Sequence, residues 1–124
     1  MFANEAFACT PTEALRSTSF TAGANNGPYI PVANLEGNLL FLVNVGAITG
    51  SVIFKLQDAT DGAGTGVADL SPAVVSASLT TAGQTVALIV DKRKIRSHVR
   101  LVATVTTGPA LLAGVLAARN KTTS

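Results

Sequence analysis

Apolar residues recur at every second position along much of this chain. In Ser51–Gln57, Val52, Phe54 and Leu56 fall on one side and Ile53, Lys55 and Gln57 on the other. A period of two is what a strand with one buried face produces. The alternation returns in Ala73–Leu79, where Val75, Ala77 and Leu79 oppose Ser76 and Ser78. It returns in Gln84–Val90, with Val86, Leu88 and Val90 on one face, and in Ile95–Val105, where Val99, Leu101, Ala103 and Val105 oppose His98, Arg100, Val102 and Thr104. Leu15–Ala22 has a β-leaning composition and predicts a first strand. Leu39–Val45 is apolar on both faces for most of its length, which suits a strand at the centre of a sheet or at a subunit contact. Together with the Ser51 strand it is expected to form a hairpin, the most local pairing open to it. Ala110–Arg119 is rich in Leu and Ala, but it is short, and Gly114 in its middle would cost a helix about 1 kcal/mol, so a strand is predicted.

Turn-forming residues separate these runs. Asn25-Asn26-Gly27-Pro28 is a strong turn signal, and Pro28 and Pro31 exclude a central strand while allowing an edge. Further breaks fall at Gly46–Gly50, Ser71-Pro72, Thr80–Gly83, the charged connection Asp91–Lys94, and Thr106–Pro109. The longest break, Asp58 to Gly66, holds Asp61, Gly62, Gly64 and Gly66, residues that tolerate positive φ or bond their own backbone. About seven or eight short strands with regular turn signals predict an all-β fold, an antiparallel, jelly-roll-like β-sandwich. Residues 1–33 are read as an extended N-terminal arm and first strand of the same domain, 34–119 as the sandwich core, and 120–124 as a polar tail.

Composition changes this picture in one respect. Hydrophobic residues make up 48% of the chain but charged residues only 13%, about half the usual share. So few charges point to a surface partly covered by other subunits. The formal net charge of +2 is not in itself a nucleic-acid signal. The single cysteine, Cys9, excludes an intrachain disulfide framework and a cysteine-based zinc site, and fits assembly in a reducing cytoplasm. Glu5 and Glu13 without a basic n-region give no sign of a secretory signal. The longest apolar runs, Leu39–Val43 and Ala110–Ala118, fall short of the roughly 20 residues of a spanning helix.

Groups suited to catalysis are few. Asp58, Asp61 and Asp69 flank the glycine-rich loop, but their spacing is that of turn chemistry rather than of a calcium loop. Gly62-Ala63-Gly64-Thr65-Gly66 lacks both the lysine and the following helix of a phosphate-binding loop. His98, the only histidine, has no nucleophile and orienting acid beside it in any recognisable pattern. No cofactor and no metal are therefore expected, and the chain reads as a non-enzyme. A sugar-binding module would need exposed aromatics, and the chain has no Trp and one Tyr. Lys92, Arg93, Lys94, Arg96 and Arg100 form the one concentration of charge, which reads either as a solvated connection and strand start or as a footprint for an acidic partner surface. No aromatic residue in that segment offers a platform for bases, so nucleic acid is not the expected partner.

Three stretches carry a family resemblance. Gly50-Ser-Val-Ile-Phe-Lys-Leu-Gln-Asp-Ala-Thr-Asp-Gly62 resembles a strand and Asp-Gly turn of small structural proteins of tailed bacteriophages. Val90 to Val102 resembles their later segment, in which a basic connection leads into an alternating strand, and Gly108 to Ala117 resembles their last strand. The resemblance implies a virion protein of the capsid cement or decoration kind, a β-sandwich that binds the major capsid protein and copies of itself as a dimer or trimer on the phage head. A head–tail connector or tail component is the alternative. On this reading Phe2, Phe7 and Phe20 in the N-terminal segment and Lys92, Arg93, Lys94, Arg96 and Arg100 in the basic segment are the expected partner contacts.

Overall fold

A computed structural model describes residues 12–70 and 74–120. They form nine strands: β1 (Thr12–Phe20), β2 (Gly23–Asn26), β3 (Ile30–Pro31), β4 (Leu35–Ile48), β5 (Ser51–Ala59), β6 (Ala68–Asp69), β7 (Gln84–Asp91), β8 (His98–Thr106) and β9 (Ala110–Asn120). Every pairing between them is antiparallel. One sheet has the order β1-β9-β4-β7; the other has β2-β8-β5-β6, with β3 also on β8.

The topology is that of a long hairpin rolled up. β1 pairs with β9, β2 and β3 with β8, β4 with β7, and β5 with β6, so the chain is folded in half about the glycine-rich loop. Rolling then adds the lateral pairings β4–β9 and β5–β8 and splits the ribbon into two facing sheets. This is the jelly-roll form of the sandwich.

Alternation fills the space between the sheets. Leu39, Phe41, Val43 and Val45 of β4, and Leu112 and Leu116 of β9, point inward from the first sheet. Val52, Phe54 and Leu56 of β5, and Val99, Leu101, Ala103 and Val105 of β8, meet them from the second. Gly114 lies on the inner face of β9, where an added Cβ would stand 2.8 Å from Leu101 Cδ2 and 3.1 Å from Leu15 Cβ. The absence of a side chain there lets Leu101 reach across from the opposite sheet. The glycine that argues against a helix in the sequence thus serves the packing of a strand.

Several expectations need correcting. β4 and β5 do not form a hairpin: they lie in opposite sheets. Each has an apolar face to bury, and facing each other across the core buries those faces as well as lying side by side would. The corner is made at Gly50, tucked so close to the carbonyls of Thr106 and Thr107 that a Cβ would collide with them. The Asn25-Asn26 turn signal lies inside β2, paired with Ala103 and Val102; the chain breaks away only after it, before Ile30. Pro31 does sit on a two-residue edge strand, where its missing N–H is harmless. Of the expected strand Ala73–Leu79, residues 74–79 form an extended edge segment bridged to β5 at Val52–Leu79 and Lys55–Val75. Its faces are not as the alternation suggested: Val75 is exposed, while Val74 and Leu79 turn to the core. Ser76 explains the shift, because both its N–H and its hydroxyl are bonded to the Phe54 backbone. The strand expected from Ile95 begins at His98, after a 3-10 turn at Lys92–Lys94. β6 was not anticipated. The N-terminal arm with Phe2, Phe7 and Cys9, and the tail beyond residue 120, lie outside the described residues.

Adjacent residues of β5 test the inward–outward assignment. Phe54 is fully buried and Ile53 is 38% exposed. Phe54→Ala is expected to lower unfolding stability by about 3–5 kcal/mol, and Ile53→Ala by less than about 1 kcal/mol, in denaturant titrations. Similar losses at both positions would contradict the assignment.

Candidate interaction surfaces

The basic segment does not form one patch. Asp91 caps the 3-10 turn, its carboxylate accepting from Arg93 N at 2.9 Å. The Arg93 guanidinium folds back on the same carboxylate, with Nη2 at 2.8 Å from Oδ2. Hydrogen bonds from the Arg93 side chain and backbone hold Asp91 down at a pKa of about 2. Arg96 turns away to Asp58: Nη2 donates to Asp58 Oδ1 at 2.8 Å, to the Asp58 carbonyl at 3.1 Å and to the Gly66 carbonyl at 2.7 Å, while Arg96 N donates to Asp58 Oδ2 at 3.1 Å. Arg100 donates through Nε and Nη2 to Gln57 Oε1 at 2.9 and 2.7 Å and lies 4.8 Å above the Tyr29 ring, a cation–π arrangement. Among the described residues, Lys92 and Lys94 make no ion pair. Lys92 and Arg93 border a shallow depression with Leu35, Glu36 and Gly37 at one end of the sandwich. Of the aromatic contacts expected, Phe20 packs partly buried against its own core, and Phe2 and Phe7 lie outside the described residues.

The glycine-rich loop is a lid over this second-sheet network. Asp61 closes it as an Asx turn, accepting from Ala63 N, Thr65 N and Thr65 Oγ1 at 2.9, 3.0 and 2.6 Å. Gly64, at φ +88°, lies against Tyr29 so closely that a Cβ would strike the ring, and a Cβ on Gly62 would meet His98 at 3.5 Å. His98 Nδ1 is 2.8 Å from Ser97 Oγ. Asp69 is held by Lys55 at 3.1 Å and Gln57 at 2.8 Å. The three loop acids are therefore committed to separate sets of partners rather than converging on one point.

The first sheet is different. Its outward residues form rows across the strands: Ile89 of β7, Leu40 of β4 and Ala117 of β9, then Ala87, Leu42 and Val115, then Thr85, Asn44 and Ala113. Leu42, Ile89, Leu111 and Val115 are among the exposed large hydrophobic residues. The two polar residues in the third row bond to each other, Thr85 Oγ1 to Asn44 Oδ1 at 2.7 Å. Leu111 lies over Gly46, where a Cβ would stand 3.0 Å from its Cδ2. Among the described residues, charge enters this sheet on its edge strand β1, with Glu13 opposite Val115 and the exposed Arg16, and at the far end with the Glu36–Arg119 pair. The sequence signal for this face was the two-sided apolar character of Leu39–Val45; the Ala110–Ala118 run carried the same signal in its second parity.

No protein-family model and no curated protein matches this chain. Among solved structures, the fold is shared with the SPBc2 prophage-derived protein YomS, at a TM-score of 0.56 and 16% identity over 88% of this chain and 92% of that one. A structure of infectious bursal disease virus, Gx strain, aligns at a TM-score of 0.42 and 14% identity over 89% of this chain and 31% of that one. The YomS likeness places the chain in a known sandwich architecture.

The Asp58–Arg96 pair ties the base of the loop to the start of β8. Burial works to raise the Asp58 pKa, but the bonds and charge of Arg96 outweigh it and leave the carboxyl below its ordinary value. A depressed folded-state pKa adds stability that is present above the unfolded value near 3.8 and is lost as pH falls through the folded value. Asp58→Asn is expected to cost about 1–3 kcal/mol at neutral pH, less than a fully buried pair because the Arg96 side chain is 41% exposed. It should also flatten the loss of stability below about pH 4 in acid titrations. An unchanged acid slope would remove Asp58 from the account.

Proposed function

We propose that this protein is a non-enzymatic structural component of a tailed-phage virion, a cement or decoration protein that binds the head lattice. The observation that carries the reading is the largely apolar exterior of strands β7, β4 and β9 in the first sheet, a surface suited to being covered by protein. The family resemblance of the Gly50–Gly62, Val90–Val102 and Gly108–Ala117 stretches supports the virion assignment, as does a fold shared over most of its length with a prophage-derived protein. The commitment of Asp58, Asp61, Asp69 and His98 to local bonds supports a binding rather than a catalytic role. Affinity would come from many small contacts multiplied by valency across a lattice. Lys92 and Lys94, at the exposed end, would supply an electrostatic contact with the major capsid protein; Arg93, Arg96 and Arg100 would act mainly by shaping that end.

The test is the occupancy of purified particles of the encoding phage, measured by quantitative mass spectrometry. On the order of hundreds of copies per particle is expected for a lattice protein, against about a dozen or fewer for a ring at one vertex. Absence from the particle would overturn the reading, and the low count would favour the head–tail connector or tail component. Lys92→Ser with Lys94→Ser should weaken rebinding to stripped particles more at low than at high salt, because exposed charges are screened. An effect independent of salt would remove the electrostatic contact.

A further inference from the structure

We infer that the free edge of β7 docks an extended segment of another protein, which joins the first sheet as an added strand and carries acidic residues at the end beside Lys92 and Lys94. The backbone of β7 specifies the occupant. Gly83 N donates to the Val45 carbonyl at 2.7 Å, so Val45 aims its backbone groups toward β7. Strand geometry repeats at every second residue, which turns Leu39, Phe41 and Val43 the same way and bonds them to Val90, Leu88 and Val86. The Thr85–Asn44 side-chain bond fits this phase, because opposite residues that exchange no backbone bonds bring their side chains closest. Thr85, Ala87 and Ile89 therefore aim their N–H and C=O groups away from β4, and among the described residues nothing pairs with them. A row of open donors and acceptors at strand spacing is complementary to another extended chain.

The other sheet edges are closed in the ways folded proteins close them, by bulges, charge, proline and shortness. β1 has two register shifts and carries Glu13 and Arg16. β2 and β3 are short and separated by Pro28, and Pro31 lies on β3. β6 has two residues. β7 runs for eight residues without Lys, Arg or Pro, and pairs with β4 without a register shift. Its Ile89 is 59% exposed, the most of any exposed large hydrophobic residue described. The turn after β7 sets the charge of the partner. Arg93 is taken by Asp91, while Lys92 and Lys94 make no ion pair among the described residues. A strand added antiparallel, as every pairing here is, meets these lysines with its N-terminal end. A second copy of β7 in that place would bring up Thr80–Gly83, which holds no carboxylate. This docking mode rests on the binding role proposed above only for the identity of the protein that donates the strand. A peptide test without particles can fail while particle occupancy stands, and the reverse.

The probe is the peptide Asp-Asp-Thr-Val-Thr-Val-Thr-Val-Thr, added to the full chain at millimolar concentration and followed by residue-resolved amide exchange. In the free chain the N–H groups of Thr85, Ala87 and Ile89 should exchange fast, and those of Val86, Leu88 and Val90 slowly. The peptide should slow the first three by about tenfold or more, binding with a Kd on the order of 1 mM or tighter. Two consecutive prolines at the centre of the peptide should abolish the effect. Ala87→Pro removes an edge N–H where an edge strand tolerates it and should abolish binding, while Ala87→Ser keeps the N–H and should bind as the unaltered chain does. Lys-Lys in place of Asp-Asp should weaken binding about threefold or more at low salt, and Lys92→Ser with Lys94→Ser should erase that difference. Melting curves verify that each variant is folded, and the proline peptide tests the edge on the unaltered chain. No slowing by the peptide, or slowing that survives its prolines, would overturn the inference. So would edge amides already slow in the dilute free chain, which would mean that the chain's own segment fills the edge. Slowing that rises with protein concentration alone would assign the edge to a second copy and overturn it as well.

Discussion

The pairing of β4 with β9 is the constraint on which the rest of the structure depends. These strands are far apart in the chain yet form the centre of one sheet, in register from Leu40–Ala117 to Val45–Leu112. Among the described residues, β4 is what satisfies the backbone of β9 on that side, and β9 is the strand that pairs with β1. The inner faces of the two strands supply Phe41, Val43, Leu112 and Leu116 to the core, and their outer faces supply Leu42, Leu111 and Val115 to the exterior. A long-range ladder between two strands that are apolar on both sides thus builds the core and leaves an apolar surface behind it.

Charge is sorted accordingly. The described ion pairs lie away from the middle of that face. Lys55–Asp69 and Arg96–Asp58 belong to the second sheet, Arg93–Asp91 to the 3-10 turn, and Arg119–Glu36 to one end of the first sheet. The second sheet needs its polar network because the glycine-rich loop must be held over Tyr29 and His98 by side-chain bonds, there being few apolar groups in the loop to hold it. One sheet thus carries a bonded, polar exterior and the other an apolar one. The second kind of exterior is the costlier to leave in water.

Much of this could be read from residue order. The inward positions of β5, β7 and β8 follow from simple alternation, although Val102 on the outer side of β8 is buried as well. The hairpin between β4 and β5 was misjudged because two apolar faces are buried equally well side by side or face to face, and only the distant pairing with β9 decides between them. β2 was hidden behind Asn25-Asn26, whose turn preference yields to the free edge of β8. The edge segment 74–79 escaped its alternation because Ser76 is bonded to the backbone of Phe54. The basic run was visible as charge. That Asp58 and Gln57 would draw Arg96 and Arg100 out of it depends on a β5–β8 register that no local pattern encodes.

The central claim is that the exterior of the β1-β9-β4-β7 sheet is covered when the protein is at work. Hydroxyl-radical footprinting of the free chain against the particle-bound chain reads this directly, side chain by side chain. The account predicts that labelling falls at Leu42, Ile89, Leu111 and Val115 and stays constant at Ile53 and Val67, which are also exposed but lie on other surfaces. Equal labelling of all six in both states would contradict it.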